Sequence, residues 1–194
     1  MRDLRLFLAI DIPNSIREKI TGAQRFYKTL NLDAAWVKPA NMHLTVKFLG
    51  DTPSDLIPAI KARMVEVANS TTPFSVTLGQ VGVFPNASRP RVLWVGLEDR
   101  KDHLGSLKRR VEQKIASLGF PLDKQKPVHH LTLGRIKSAK NKAGWKKALQ
   151  SAQRIETDPF KISSVQLIKS ELTPKGSIYT VQEEFVFTGS ITRH

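Results

Sequence analysis

Asn41-Met42-His43-Leu44-Thr45-Val46-Lys47-Phe48-Leu49 alternates Leu44, Val46 and Phe48 with His43, Thr45 and Lys47, the period-2 signature of a half-buried strand. On such a strand His43 and Thr45 share one face, while Leu44 and Val46 enter a core. The tripeptide returns at His130-Leu131-Thr132, where Leu131 and Leu133 face in and His130 and Thr132 face out. Each copy follows a Lys-Pro pair, Lys38-Pro39 and Lys126-Pro127. The chain contains only 5 His. Composition alone would give a second His-Leu-Thr with a probability of roughly a few per cent. The repeat implies two equivalent pieces of backbone, each presenting one imidazole and one hydroxyl. A site carried on strands is held more rigidly than one built on loops.

Two His and two Thr form a coherent chemical set. Imidazole titrates near neutrality, so one ring can serve as base while the other serves as acid. A Thr hydroxyl donates to an anionic oxygen. No Cys and no Gly-x-Ser-x-Gly elbow offers a covalent nucleophile. The set suits attack by water or a neighbouring hydroxyl on a phosphodiester, with in-line proton transfer on both sides. A single His in a strand is more often a packed or surface residue; it is the matched pair that points to catalysis. A metal centre is the rival reading, but no spaced carboxylate or Cys set accompanies the histidines and Thr is a poor zinc ligand. No metal and no cofactor is expected.

With these motifs the chain resembles the 2H phosphoesterase superfamily, and within it the RNA 2′,3′-cyclic phosphodiesterases, the LigT-like family also called 2′-5′ RNA ligases. The resemblance extends to Arg5-Leu6-Phe7-Leu8-Ala9-Ile10-Asp11, Val37-Lys38-Pro39, Phe84-Pro85-Asn86 and Arg89-Pro90-Arg91-Val92-Leu93-Trp94-Val95-Gly96. It continues through His130-Leu131-Thr132-Leu133-Gly134-Arg135 to Leu172-Thr173-Pro174-Lys175-Gly176 with Tyr179. One departure is His129, where the family has Pro; register selects His130, two residues before Thr132. The resemblance implies His130 as proton acceptor from water, His43 as proton donor to the departing ribose 3′ oxygen, and a 2′-phosphate product. It implies Thr45 and Thr132 as ligands of the phosphate oxygens, and Arg135 as a further phosphate contact. A regular strand would place Arg135 opposite His130, so Gly134 is expected to break the pleat and bring it round.

Length and composition agree. The 194 residues suit one bilobal domain spanning 1–194, and 40% apolar residues suffice for a core. Zero Cys fits a reducing cytoplasm. The apolar run ended by Asp11 is too short for a signal segment, and no run reaches membrane-spanning length. Lys and Arg number 31 against 17 Asp and Glu, a net charge of +14 that favours a polyanion, most simply RNA. The expected partner is RNA bearing 2′,3′-cyclic phosphate ends, with no membrane and a monomeric chain.

The remaining pattern predicts a strand from Leu4 to Asp11 and a helix from Pro13-Asn14-Ser15 to about Leu30. Asp51-Thr52-Pro53-Ser54 is expected to cap a helix through about Asn69. Strands are predicted at Phe74 to Val83 and Arg91 to Leu97. A basic helix spans about Lys101 to Leu118 and ends at Gly119. A helix follows at about Asn141 to Gln153. Strands from Phe160 to Leu172 and Ile178 to Phe187 then flank Pro174-Lys175-Gly176. The fold class is α+β: two pseudo-symmetric lobes of antiparallel sheet, helices outside, and a cleft between the lobes. Phe48, Trp36 and Phe84 could stack on a terminal base, although each fits a core position better. Two other functions compete with hydrolysis: ATP-independent 2′-5′ ligation, and RNA binding without catalysis. The sequence has no phosphate-binding Gly-Lys loop for ATP, and binding alone needs neither imidazole.

Overall fold

A computed structural model describes residues 3–123, 128–138, 140–151, 154–174 and 176–190. Lys126-Pro127 before the second motif, Gln153 and Lys175 lie outside the described residues. The chain opens with strand β1 (Leu4–Asp11) and helix α1 (Asn14–Thr29). Then come β2 (Asp33–Trp36), β3 (His43–Thr52), α2 (Ile57–Asn69), β4 (Phe74–Phe84) and β5 (Val92–Glu98). The second half runs α3 (His103–Ala116), β6 (His130–Ser138), α4 (Lys142–Gln150), β7 (Phe160–Ile162), β8 (Ser164–Thr173) and β9 (Gly176–Val186).

All pairings are antiparallel, in the order β7-β4-β5-β6-β3-β1-β8-β9, with β2 added to β6. Only Ser163 separates β7 from β8, yet the two sit far apart in that order. The sheet must therefore curl until its ends approach, giving a half-barrel. The two motif strands, β3 and β6, meet at its centre through Leu44 and Leu131. The main core lies on the helix side, where Leu6, Leu8, Ile10, Leu44, Val46, Leu131 and Leu133 pack with Ile20, Leu107, Val111 and Ile115. A small second cluster, Phe7, Ala9 and Ile168 with Tyr179 against it, lines the opposite, concave face. β1 is thus apolar on both faces because both are covered.

Four local differences from the sequence pattern have physical causes. β3 continues to Thr52 because Leu4 and Arg5 pair with Thr52 and Asp51. Asp51-Thr52-Pro53-Ser54 therefore does not cap a helix; a 3-10 turn at Ser54–Leu56 leads into α2, whose N-cap is Leu56. β2 carries only four residues, Asp33-Ala34-Ala35-Trp36, and its pairing to β6 rather than any apolar alternation makes it a strand. The predicted strand from Phe160 to Leu172 breaks at Ser163, since Phe160–Ile162 pairs with β4 and the remainder with β1 and β9. In β3, Val46 has no partner between Thr45↔Ala9 and Lys47↔Leu8, so the alternation reverses there. Lys47 turns to the helix side and is 2% exposed, whereas Phe48 turns to the concave face and is 68% exposed. The expectation that Lys47 shares a face with His43 and Phe48 joins the core is thereby corrected.

Buried Lys47 is fully partnered. Its Nζ donates to Glu112 Oε2 at 2.9 Å, to the Pro121 carbonyl at 2.8 Å and to Asp123 Oδ1 at 3.3 Å. Desolvating an ammonium is tolerable only with such compensation.

Candidate active site

His43 and Thr45 leave β3 on the concave face, and His130 and Thr132 leave β6 on the same face. The register defined by Leu44↔Leu131 sets His43 across from Thr132 and Thr45 across from His130. The four side chains form a two-fold arrangement: each imidazole faces a hydroxyl directly across the strand pair, and the two imidazoles lie on one diagonal. Each ring is pinned by its own backbone. His130 Nδ1 lies 2.7 Å from the Val128 carbonyl, and His43 makes a backbone hydrogen bond with Asn41. A carbonyl only accepts, so His130 Nδ1 donates and the neutral ring presents a bare Nε2 lone pair.

Aromatic rings wall each imidazole. His43 lies 4.9 Å from Phe7 and 5.2 Å from Tyr179, centroid to centroid, and Phe48 stands 6.1 Å from Phe7. His130 lies 4.8 Å from Phe84, edge to face, and 6.1 Å from Trp94. Trp94 fits because Gly82 beneath it has no Cβ, which would come within 2.4 Å of the indole. Phe7 pairs with Phe48 beside the first motif, and Trp94 with Thr132 in the second. Sequence reasoning missed Phe7 and Trp94 because continuous apolar strands carry no polar marker of which face is which. Trp36 packs on the helix side.

Arg135 reaches the site through a bulge. Leu133 has no partner between Thr132↔Trp94 and Gly134↔Leu93, so the residues after it change face. The break comes one residue before Gly134, and Val46-Lys47 makes the corresponding break in β3 without a glycine. Gly134 is instead explained by Trp36, whose ring a Cβ there would meet at 3.1 Å. Arg135 and Phe48, each five residues after its motif histidine, are counterparts: a cation beside one motif, an exposed ring beside the other.

The description "LigT like Phosphoesterase" fits two successive stretches of the chain, residues 10–94 and 95–179. The chain belongs to the LigT-like phosphoesterase family. An Aquifex aeolicus protein named RNA 2′,3′-cyclic phosphodiesterase is 35% identical over 97% of this chain and 100% of its own. A Methanothermobacter thermautotrophicus protein of the same name is 32% identical over 94% and 98%. A crystal structure of a Thermus thermophilus protein superposes with a TM-score of 0.82 at 27% identity, covering 95% of this chain and 98% of that one. The two matched stretches repeat the same elements: α1 answers to α3 and the strand of one motif to that of the other.

This LigT-like site is electrostatically asymmetric. Burial pushes His43 down from 6.5 to about 4; the Asn41 hydrogen bond and the Asp11 carboxylate pull it up, and the Arg135 guanidinium pushes it down. Burial also lowers His130, opposed by its bond to Val128 and reinforced by Arg135. Arg135 thus acts on both rings, whereas Asp11 acts on His43. Asp11 is itself ion-paired with Arg17. His129 is lowered too, by burial first and then by Lys108, with Asp102 and Asp99 opposing. Those neighbours belong to the α3 side, so His129 sits in a different environment from His130. Among the described residues no group of three or more His, Cys, Asp or Glu could hold a metal ion. No helix among them is long and apolar enough to cross a membrane.

Proposed function

We propose that this phosphoesterase hydrolyses the 2′,3′-cyclic phosphate at an RNA end to a 2′-phosphate by two-histidine acid–base catalysis. The observation that carries the reading is the paired presentation of imidazole and hydroxyl on β3 and β6, with the His130 tautomer fixed by a backbone carbonyl. The names of the relatives, each an RNA 2′,3′-cyclic phosphodiesterase, support the substrate class. Water attacks phosphorus from the His130 side and loses its proton to Nε2. The new P–O bond forms as the P–O3′ bond breaks, and His43 delivers a proton to the leaving 3′ oxygen. Thr45 and Thr132 donate to non-bridging oxygens. Arg135 pairs with those oxygens as charge gathers, a charge-assisted contact strongest in the transition state.

His43 is neutral near pH 7 in the free site, and so cannot yet act as acid. The bound phosphate anion brings the charge that raises its proton affinity, and Asp11 adds to it. Asp11 raises His43 and not His130, opposing the burial of that ring without outweighing it in the free site. The exposed Phe48 ring, backed by buried Phe7, offers a surface for the terminal base. Phosphorus NMR of the products from an oligonucleotide ending in a 2′,3′-cyclic phosphate tests the reading. A single 2′-phosphate is expected; a 3′-phosphate or both isomers would overturn the assigned geometry, and longer RNA would point to ligation.

A further inference from the structure

The bulges that turn Arg135 and Phe48 toward the histidines are each held from the helix side by one long polar side chain. Gln24, in α1 and 2% exposed, donates from Nε2 to the Leu133 carbonyl at 2.8 Å and to the Val37 carbonyl at 2.9 Å. Lys108, in α3, donates from Nζ to the Val46 carbonyl at 3.1 Å and to Asp123 Oδ2 at 2.5 Å. Leu133 and Val46 are the unpaired residues at the two bulges. The braces cross: the helix of the first matched stretch holds the second motif, and the helix of the second holds the first. The acid–base chemistry uses neither side chain. Burying an amide or an ammonium is costly unless its hydrogen bonds are recovered, and both recover them on the backbone of a motif strand.

We infer that Gln24 and Lys108 are positioning residues: each fixes the bulge in one motif strand and so sets where Arg135 or Phe48 stands relative to the paired imidazoles. Arg135 lowers the proton affinity of both His43 and His130, so its displacement is readable without turnover. The kinetic arm of the test rests on the proposed hydrolysis; the titration arm does not, so failure of one is distinguishable from failure of the other.

The test is an NMR titration of the imidazoles in Gln24→Met, Arg135→Ala and the double variant. Gln24→Met is expected to raise both imidazole pKa values in the direction set by Arg135→Ala, and to add nothing in the Arg135→Ala background. On a cyclic-phosphate substrate it should lower kcat about tenfold with little change in KM, and that loss should largely vanish in the double variant. Unchanged imidazole pKa values in a folded Gln24→Met, or the same kinetic loss in both backgrounds, would overturn the inference. Should Gln24→Met not fold, Lys108→Met decides: its loss in kcat/KM should disappear when combined with Phe48→Ala, and an undiminished loss there would overturn it.

Discussion

Replacing His43 with Gln removes a titrating group whose proton affinity depends on folding. In the folded chain its pKa stands at about 4, against 6.5 for an exposed ring. Between those values the unfolded chain binds a proton that the folded chain refuses. Acid therefore favours unfolding, and the contribution is complete above pH 6.5 and lost as pH falls toward 4. Each pKa unit is worth about 1.4 kcal/mol, so the loss reaches about 2.5 kcal/mol at about pH 4.5. Burial lowers His129 and His130 as well, so the quantity to measure is a difference of differences. Urea unfolding of the native chain and of His43→Gln, followed by tryptophan fluorescence at about pH 7.5 and about pH 4.5, supplies it. The native chain is expected to lose about 2.5 kcal/mol more than the variant between the two pH values. Equal losses within about 0.5 kcal/mol would show that His43 is not buried in neutral form, and the electrostatic account of the site would fall with it.

The same lowered values shape the kinetics: kcat/KM, which reports the free enzyme, should peak below pH 6.5, whereas kcat should peak at higher pH once bound phosphate has raised the imidazoles. A kcat/KM profile rising into the alkaline range would contradict this. His43→Ala and His130→Ala should each lower kcat by about 10²–10⁴, the double variant by far less than the product, while His129→Ala keeps most activity. A dead His129→Ala beside an active His130→Ala would reverse the register. Arg135→Lys should lose most activity, because a point charge cannot reproduce the guanidinium fork, and wild-type rates in that variant would remove Arg135 from the phosphate site. Glu112→Leu, which strips Lys47 of its main counter-charge, should destabilise by about 3 kcal/mol, and adding Lys47→Met should restore most of it. Chemical denaturation of both variants checks the pair, and a double variant no more stable than Glu112→Leu would argue against it.

The paired motifs were legible because polar and apolar residues alternate across His43 to Val46 and across His130 to Leu133. The face of each later residue was not, because a bulge adds one unpaired residue without leaving any mark in the alternation. Lys47 and Phe48 consequently exchanged faces. Arg135 was placed correctly but for the wrong cause: Gly134 makes room for Trp36, and Leu133 breaks the pleat. Phe7 lay hidden in a strand buried on both sides, where period 2 disappears, and Trp94 in a strand that is apolar on both faces although only one is fully buried. β2 was invisible because it takes its strand character from β6. Ser163 gave no sign that the chain changes partners there, since pairing to opposite ends of a curled sheet is a long-range property.

That change of partners at Ser163 also bears on how the chain acquires its structure. β1 is flanked in the finished sheet by β3, which follows it closely in sequence, and by β8, which is synthesised long after it. β4, from the first matched stretch, is flanked by β5 and by β7. Each half of the sheet therefore mixes strands from both repeats, and neither repeat holds a complete set. Contacts so distant in sequence make folding slow, because closing long loops costs entropy before the contacts reward it. The concave face that presents His43 and His130 comes into being only after nearly the whole chain has been synthesised, so the nascent polypeptide carries both motifs for some time before it carries a site.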